Sequence, residues 1–414
     1  MRVYFSGIGG VGIGPLAEIA IDAGYQISGS DPHESLMTRE LHERGVIVSN
    51  DQSGEFLKSQ HNQQPIDWFV YTAALPLNHP ELRAADALGI RISKRDEFLA
   101  HIIAEKQLKL IAVAGTHGKT STTGMLVWTL KQLGVPISYL VGTTLSFGSS
   151  GKFDPSSDYF VYECDEFDRN FLSYSPYLSV ITSIDYDHPD TYPTEDEYKS
   201  AFRQFSNQSA ATILWQNDAD YLHLNMNNAW VLQQDEVLPF QLAGAHNRRN
   251  GTLALKALER LGIGEKQTNQ DFLEQFPGTR RRFEKLADNL YSDYGHHPVE
   301  IAASLQMARE LSDHVVLVYQ PHQNVRQHEI REQYTDDIFD DAEEVFWVDT
   351  YLSREDPSLP ILTSEELAAS VSNAAISHLD DSLWGKIQAH REAGHLVLCM
   401  GAGSIDDWTR TRIS

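Results

Sequence analysis

Leu110-Ile111-Ala112-Val113-Ala114-Gly115-Thr116-His117-Gly118-Lys119-Thr120 is the stretch on which the reading of this chain turns. Five apolar residues in a row fit a strand buried on both faces better than a helix, which needs more length. The glycines break that run, and a helical pattern then extends from Lys119 to Leu133. Strand, tight glycine turn and helix together form the repeating unit of parallel sheets. The alternation continues outward. Upstream, Arg2–Ser6, Tyr25–Gly29, Trp68–Thr72 and Ile90–Ile92 read as strands and Pro15–Ala23 as a helix. Downstream, the strands are Tyr159–Glu163, Leu178–Ile184, Thr212–Trp215, Leu290–Asp293, Val315–Tyr319, Glu344–Val348 and Leu396–Met400. Helical patterns cover Arg248–Leu261 and Pro298–Leu311.

Two breaks interrupt this series. One is polar Glu105–Lys109, and the other is the Phe276–Gly278 turn with Arg280, Arg281 and Arg282 behind it. A chain of 414 residues is too long for one ordinary core. The expected fold is α/β with three domains, at 1–105, 106–282 and 283–414. The first and last are Rossmann-like, and the central one is of the phosphate-loop ATPase type with a mainly parallel sheet.

Composition narrows the function classes. The chain is 41% hydrophobic and 22% charged, which suits a globular protein. There are 58 Asp plus Glu against 33 Lys plus Arg, a formal net charge of −25. Such an acidic balance argues against a nucleic-acid or anionic-membrane binder. An anionic substrate would need the few cations to be clustered. Cys164 and Cys399 imply neither a disulfide framework nor a cysteine-only zinc site. With no signal-peptide pattern and no apolar run of spanning length, the expectation is a cytoplasmic protein.

Two glycine loops carry the chemistry. Gly7-Ile8-Gly9-Gly10-Val11-Gly12 fits G-x-G-x-x-G behind a strand, with Asp31 closing the next strand. Such glycines let backbone approach a diphosphate, and the acid can accept from a ribose hydroxyl. Taken alone, this loop allows an NAD-dependent oxidoreductase or a purely structural turn. In the second loop, Lys119 can reach terminal phosphates and the Thr120 hydroxyl can hold Mg²⁺. Val113 stands where the full Walker spacing has glycine, so this is a shortened variant. ATP at the second loop leaves the first one for a nucleotide-linked substrate.

The run Ala114 to Thr120 resembles the ATP loop of the Mur ligase family. Further segments resemble the same family in the same order. They are Val70-Tyr71-Thr72-Ala73-Ala74, Asn78-His79-Pro80-Glu81-Leu82, Glu163-Cys164-Asp165-Glu166 and Ile181-Thr182-Ser183-Ile184. Then come Asp187-His188-Pro189-Asp190-Thr191-Tyr192, Gly244-Ala245-His246-Asn247-Arg248-Arg249-Asn250, Arg281-Arg282-Phe283 and Asp293-Tyr294-Gly295-His296-His297-Pro298. The resemblance implies an ATP-dependent ligase that joins an amino acid to the lactyl carboxylate of UDP-N-acetylmuramate through an acyl phosphate.

It also implies roles. Gly7, Gly9, Gly10, Gly12 and Asp31 would hold the UDP-sugar. Gly115, Thr116, His117, Gly118, Lys119, Thr120, Ser121, Asn247, Asn250, Arg282 and Asp293 would hold ATP. Thr120, Glu163 and His188 would ligate Mg²⁺. Lys119, Glu163, His188 and Arg282 would serve the chemistry, and Tyr294, His296 and Arg326 would hold the amino acid. Of Asp165, Glu166 and Asp168, most read as solvated or capping acids, and Arg280 and Arg281 read as solvated cations. Gln323 stands in Gln320-Pro321-His322-Gln323-Asn324-Val325-Arg326 where the family has arginine, so the added amino acid is the open point; L-alanine is expected, with glycine or serine as other small candidates. Phe202 occupies the place of a carbamylated lysine found in later-acting members, which fits the L-alanine-adding branch or the tripeptide-recycling branch. The implied partners are UDP-N-acetylmuramate and a small L-amino acid, with no nucleic acid or membrane, in a monomer or homodimer. Tyr351-Leu352-Ser353-Arg354-Glu355 matches a family segment with no assigned role.

Overall fold

The computed structural model describes residues 1–72, 75–188, 191–224, 228–353 and 355–413. Ala73, Ala74, Pro189, Asp190 and Arg354, each inside a motif quoted above, lie outside these. Three sheets follow one another along the chain. The first is wholly parallel and contains β1 (Arg2–Ser6), β2 (Gln26–Ser30), β3 (Ile47–Ser49), β4 (Trp68–Tyr71) and β5 (Arg91–Lys94), in the order β3-β2-β1-β4-β5. That order reverses between β1 and β4, which opens a crevice at their carboxyl ends.

The second sheet contains β6 (Lys109–Ala114), β7 (Ser138–Leu140), β8 (Gly151–Lys152), β9 (Tyr159–Glu163), β10 (Leu178–Ile181), β11 (Thr212–Trp215) and β12 (Ala229–Leu232). Its order is β12-β11-β10-β6-β9-β7-β8, parallel except for β7 with β8. β6 lies between β10 and β9, so the loop after it is flanked by the ends of both neighbours. The third sheet contains β13 (Glu284–Ala287), β14 (Leu290–Asp293), β15 (Val315–Tyr319), β16 (Glu344–Trp347), β17 (Ala374–Ile376) and β18 (Leu396–Met400). Its order is β13-β14-β18-β15-β16-β17, with only β13 and β14 antiparallel. The α/β class and the mostly parallel sheets match the reading of the sequence.

The chain forms two compact units. One comprises Met1–Glu236 with Thr252–Phe276; the other comprises Val237–Gly251 with Pro277–Ser414. The first two sheets share a unit because they share a core. Phe98, Leu99, Ile102 and Ile103 on the helix Arg95–Glu105 are buried in one apolar cluster with Phe5 and Val70 of the first sheet and Leu110 and Phe160 of the second. The buried Asp96 carboxylate accepts from Tyr162 OH at 2.9 Å and Tyr174 OH at 3.1 Å, so the polar groups at this seam satisfy one another. Phe202 is fully buried, its ring 5.1 Å from that of Phe171.

Candidate functional site

The loop after β6 is held by the end of β10. Thr116 N–H donates to Ser183 O at 2.9 Å, and His117 N–H donates to Ser183 Oγ at 3.0 Å. Gly115 has φ +131°, and a Cβ there would lie 2.5 Å from Thr182 Oγ1 and 2.6 Å from Ser183 O. Only glycine fits that backbone. Gly118, at φ +86°, then turns the chain into the helix Lys119–Gln132, whose first turn carries Lys119, Thr120 and Ser121.

Lys119 Nζ lies 2.5 Å from Gly115 O and donates to both Glu166 carboxylate oxygens, at 3.0 and 2.9 Å. Glu166 is fully buried. The expectation that Glu166 is solvated or capping is therefore corrected: it is the counter-ion of the loop lysine. A buried cation needs such a partner, and an acid three residues past the strand end was the available signal. Burial works against the charged lysine, yet Glu166, Asp165 and Glu163 outweigh it and hold its pKa above the ordinary value. Burial pushes the Glu166 carboxyl up, and Lys119 pulls it back. Asp168 is instead exposed and pairs with Lys94.

Glu163, at the end of β9, accepts from Thr120 Oγ1 at 2.6 Å and from Gly142 N–H at 2.7 Å. His188, at φ +59°, brings Nε2 to 4.0 Å from Glu166 Oε1 and 3.7 Å from Asp187 Oδ2. Lys119 and His188 are thus brought to Glu166, and Thr120 to Glu163, whose charge also acts on Lys119.

The first glycine loop is closed by the protein's own groups. Gly7 and Ile8 N–H donate to Ser30 O, and Gly10 N–H to Gly7 O. Asp31 was expected to take a ribose hydroxyl. It accepts from Gly9 N–H at 2.9 Å and His33 N–H at 3.0 Å, and so shapes the loop itself. The helix begins at Gly14, two residues beyond Gly12. Beneath the loop, fully buried Glu81 accepts from Tyr4 OH, Ser6 Oγ and Ser30 Oγ at 2.6, 2.6 and 2.8 Å. The sequence reading quoted Glu81 only as part of a motif and gave it no role.

The second unit gathers the remaining predicted residues. Asp293 ends β14, and its two oxygens accept from Phe283 and Gly295 N–H at 2.7 Å each. Burial raises its pKa. Asn247 Nδ2 donates to Ala243 O at 3.0 Å, and Asn250 is buried in the same helix, Ala245–Leu261. Arg282 lies 3.8 Å from Glu300. Arg280 is exposed, as expected, but Arg281 is not simply solvated: it donates to Gly401 O at 2.8 Å and lies 4.7 Å over the Tyr294 ring. From Tyr294 a row of rings runs through His296 at 5.6 Å, His322 at 5.9 Å and Tyr351 at 5.8 Å, the last pair stacked. Arg326, on the helix Asn324–Ile330, adds its positive charge to burial in depressing the pKa of His296 and of His322. Tyr294, His296 and Arg326 are therefore one cluster, and the sequence reading passed over Tyr351 as part of it.

Burial, helped by Arg282, pushes His246 down to about 4. Burial, helped by His296 and Arg326, pushes His322 down to about 4 as well. The unfolded chain then binds more protons between pH 6.5 and 4, so their stabilisation is complete above 6.5 and lost as pH falls through that window. Thermal melting at pH 5 against pH 7 is expected to show a smaller drop for the His246→Asn, His322→Asn double variant than for the wild type. An equal drop would contradict this assignment.

Within the described residues no helix is long and apolar enough to cross a membrane. Residues 2–107 match the Mur ligase family catalytic domain and residues 113–253 the Mur ligase middle domain. The UDP-N-acetylmuramate–L-alanine ligase of Carboxydothermus hydrogenoformans is 31% identical over 98% of this chain and 95% of its own. That of Clostridium perfringens is 30% identical over 98% and 96%. Among solved structures, the UDP-N-acetylmuramate–alanine ligase of Thermotoga maritima superposes with TM-score 0.77 at 23% identity, covering 100% of this chain and 98% of that one. A murein peptide ligase from Psychrobacter arcticus follows at TM-score 0.67 and 21% identity, covering 100% and 98%. The phosphate loop with its buried lysine, the three mostly parallel sheets and these full-length matches lead to one conclusion: the chain belongs to the Mur ligase family.

Proposed function

We propose that this protein joins L-alanine to the lactyl carboxylate of UDP-N-acetylmuramate at the expense of ATP, in peptidoglycan precursor synthesis in the cytoplasm. The observation that carries the reading is the paired arrangement Lys119–Glu166 and Thr120–Glu163 on the loop after β6. It lies in a chain aligned over 98% of its length with ligases of that name.

The domain roles follow the expected division: 1–105 for the UDP-sugar, 106–282 for ATP and 283–414 for the amino acid. At Gly7, Gly9, Gly10 and Gly12 the absence of side chains lets the backbone approach the diphosphate. Asp31 acts by holding the loop in shape. The backbone of Gly115 to Gly118 cradles the ATP phosphates, and Lys119 exchanges part of its contact with Glu166 for the terminal phosphate. Asn247, Asn250 and Asp293 serve the nucleoside side, and Arg282 a phosphate. Arg326 pairs with the amino-acid carboxylate as a charged fork, while Tyr294 and His296 form its wall.

The donor set suits Mg²⁺: Thr120 Oγ1 and the Glu163 and Glu166 carboxylates are hard oxygens, with His188 the one nitrogen. When bound, Mg²⁺ would spread the charge of the terminal phosphates. The chain's own work is alignment and neutralisation. The carboxylate attacks the γ-phosphorus, ADP leaves, the amine attacks the acyl phosphate, and inorganic phosphate departs.

A panel measuring ADP release with UDP-N-acetylmuramate and single amino acids tests this. Turnover is expected with L-alanine and not with a preformed tripeptide. No turnover with any small L-amino acid would overturn the assignment, and turnover with tripeptide alone would move it to the recycling branch. The oxidoreductase alternative leaves Lys119, Glu163 and Glu166 without a task.

A further inference from the structure

His314, Glu343 and His395 each stand one residue before a strand of the third sheet: β15, β16 and β18. Those strands are neighbours in the order β18-β15-β16. Parallel pairing sets Val315 opposite Leu396, so the two histidines fall side by side. Leu396 N–H donates to His314 O at 2.9 Å and Glu343 N–H to Val315 O at 2.8 Å, which fixes the backbone beneath all three side chains. The result is a row of ligand-type groups along the amino edge of the sheet, at the far end of these strands from the carboxyl edge where Asp293 and Gln320 lie.

One ligand atom from each of the three lies within 4.8 Å of the others. His314 Nδ1 is 2.7 Å from Glu343 Oε1, and the His314 and His395 rings stack at 5.1 Å. On the helix Asp381–Glu392, His390 brings Nδ1 to 3.0 Å from His395 Nδ1, and its Nε2 lies 3.2 Å from Glu344 Oε2. A carboxylate–histidine–histidine relay of this kind orients a metal-bound imidazole from behind. Among the described residues this is the one group of His, Cys, Asp or Glu side chains that meets a metal-ligand spacing.

We propose that His314, Glu343 and His395 form a site for a borderline divalent cation of the zinc class, with His390 and Glu344 as positioning residues. Two imidazoles and one carboxylate make a common three-ligand zinc set, with water in the fourth place. The same donors discriminate against Mg²⁺, which prefers an all-oxygen shell. His314 and Glu343 are exposed and His395 half-buried, so a cation can enter from solvent. The cation ties three adjacent strands together at one edge, opposite the edge at which Asp293 and Gln320 lie.

Equilibrium dialysis of the chelator-stripped full-length protein against zinc chloride, in excess Mg²⁺, tests this. Wild type is expected to retain one more zinc than His314→Ala or His395→Ala, and His390→Ala to bind that zinc about 10–100-fold more weakly. Cobalt(II) in its place should give the intense visible bands of a four-coordinate site in wild type only. Zinc should raise the melting temperature of wild type and leave the two alanine variants unmoved. Equal melting of all proteins in chelator confirms that the variants fold. The same zinc content and cobalt spectrum in wild type and both alanine variants would overturn the proposal.

Discussion

Lys119→Ala is expected to lower ATP-dependent turnover by about 10³-fold, the scale seen when a preorganised positive group is removed from a phosphoryl-transfer site. The same change strands Glu166, which is fully buried and takes both of its short contacts from Lys119 Nζ. A buried carboxylate deprived of its cation costs about 3–5 kcal/mol. Two effects are thus superposed, and a second variant separates them. Lys119→Ala with Glu166→Gln replaces the stranded charge by a neutral amide, so melting should return toward wild type while turnover stays low. ADP release and thermal melting of the two proteins, side by side, are the measurements. Turnover within tenfold of wild type in Lys119→Ala would remove the lysine from the chemistry.

Gly115→Ala should also impair the loop, through backbone instead of charge. At φ +131° an L-residue is strained by about 1–3 kcal/mol. The added methyl would also sit 2.6 Å from Ser183 O, an atom already accepting from Thr116 N–H. Either the loop or the end of β10 must shift, and a shift of that size misplaces every phosphate-facing N–H. The KM for ATP is expected to rise at least about tenfold, on the scale of one or more lost charge-assisted contacts. Gly134→Ala is the comparison. It also has positive φ, +69°, but its Cβ would enter open space. It should lose about 1 kcal/mol of stability and no affinity for ATP. Similar behaviour of the two variants would mean that strain alone, without the collision, governs the loop.

Much of this architecture was legible in advance because parallel strands buried on both faces leave unbroken apolar runs. Tyr159–Glu163, Thr212–Trp215 and Val315–Tyr319 were read to the residue. The strands that escaped notice include β3, β8, β13 and β17, all at sheet edges and two to four residues long. An edge strand is half solvated, so it carries neither a long apolar run nor clean alternation. The candidate site divides the same way. Gly115, Lys119, Thr120 and Glu163 could be found because a strand and a helix bracket them in sequence. Glu81 and Tyr351 could not, and Glu166 only through its place three residues past a strand end, since burial of a carboxylate or stacking of a ring depends on partners 75 to 77, 29 and 47 positions away. Asp31 shows the converse: its type and spacing suit a ribose, and the structure adds a loop contact, Gly9 N–H, that the spacing does not announce.

The path of the chain between the two compact units bears on how the protein is made. It leaves the first unit after Glu236, contributes Val237–Gly251 to the second, returns for Thr252–Phe276, and only then completes the second. The returning segment is structural: Trp128 Nε1, on the helix that carries Lys119, donates to Phe272 O at 2.8 Å. On the ribosome, the ATP-loop half of the molecule therefore cannot finish folding until residue 276 has emerged. By then Val237–Gly251 is already out and waiting for partners such as Glu310, which accepts from Gly244 N–H and Arg248. During that interval the nascent chain holds an unfinished segment exposed to chaperones, and no single cut in the gene separates one unit from the other.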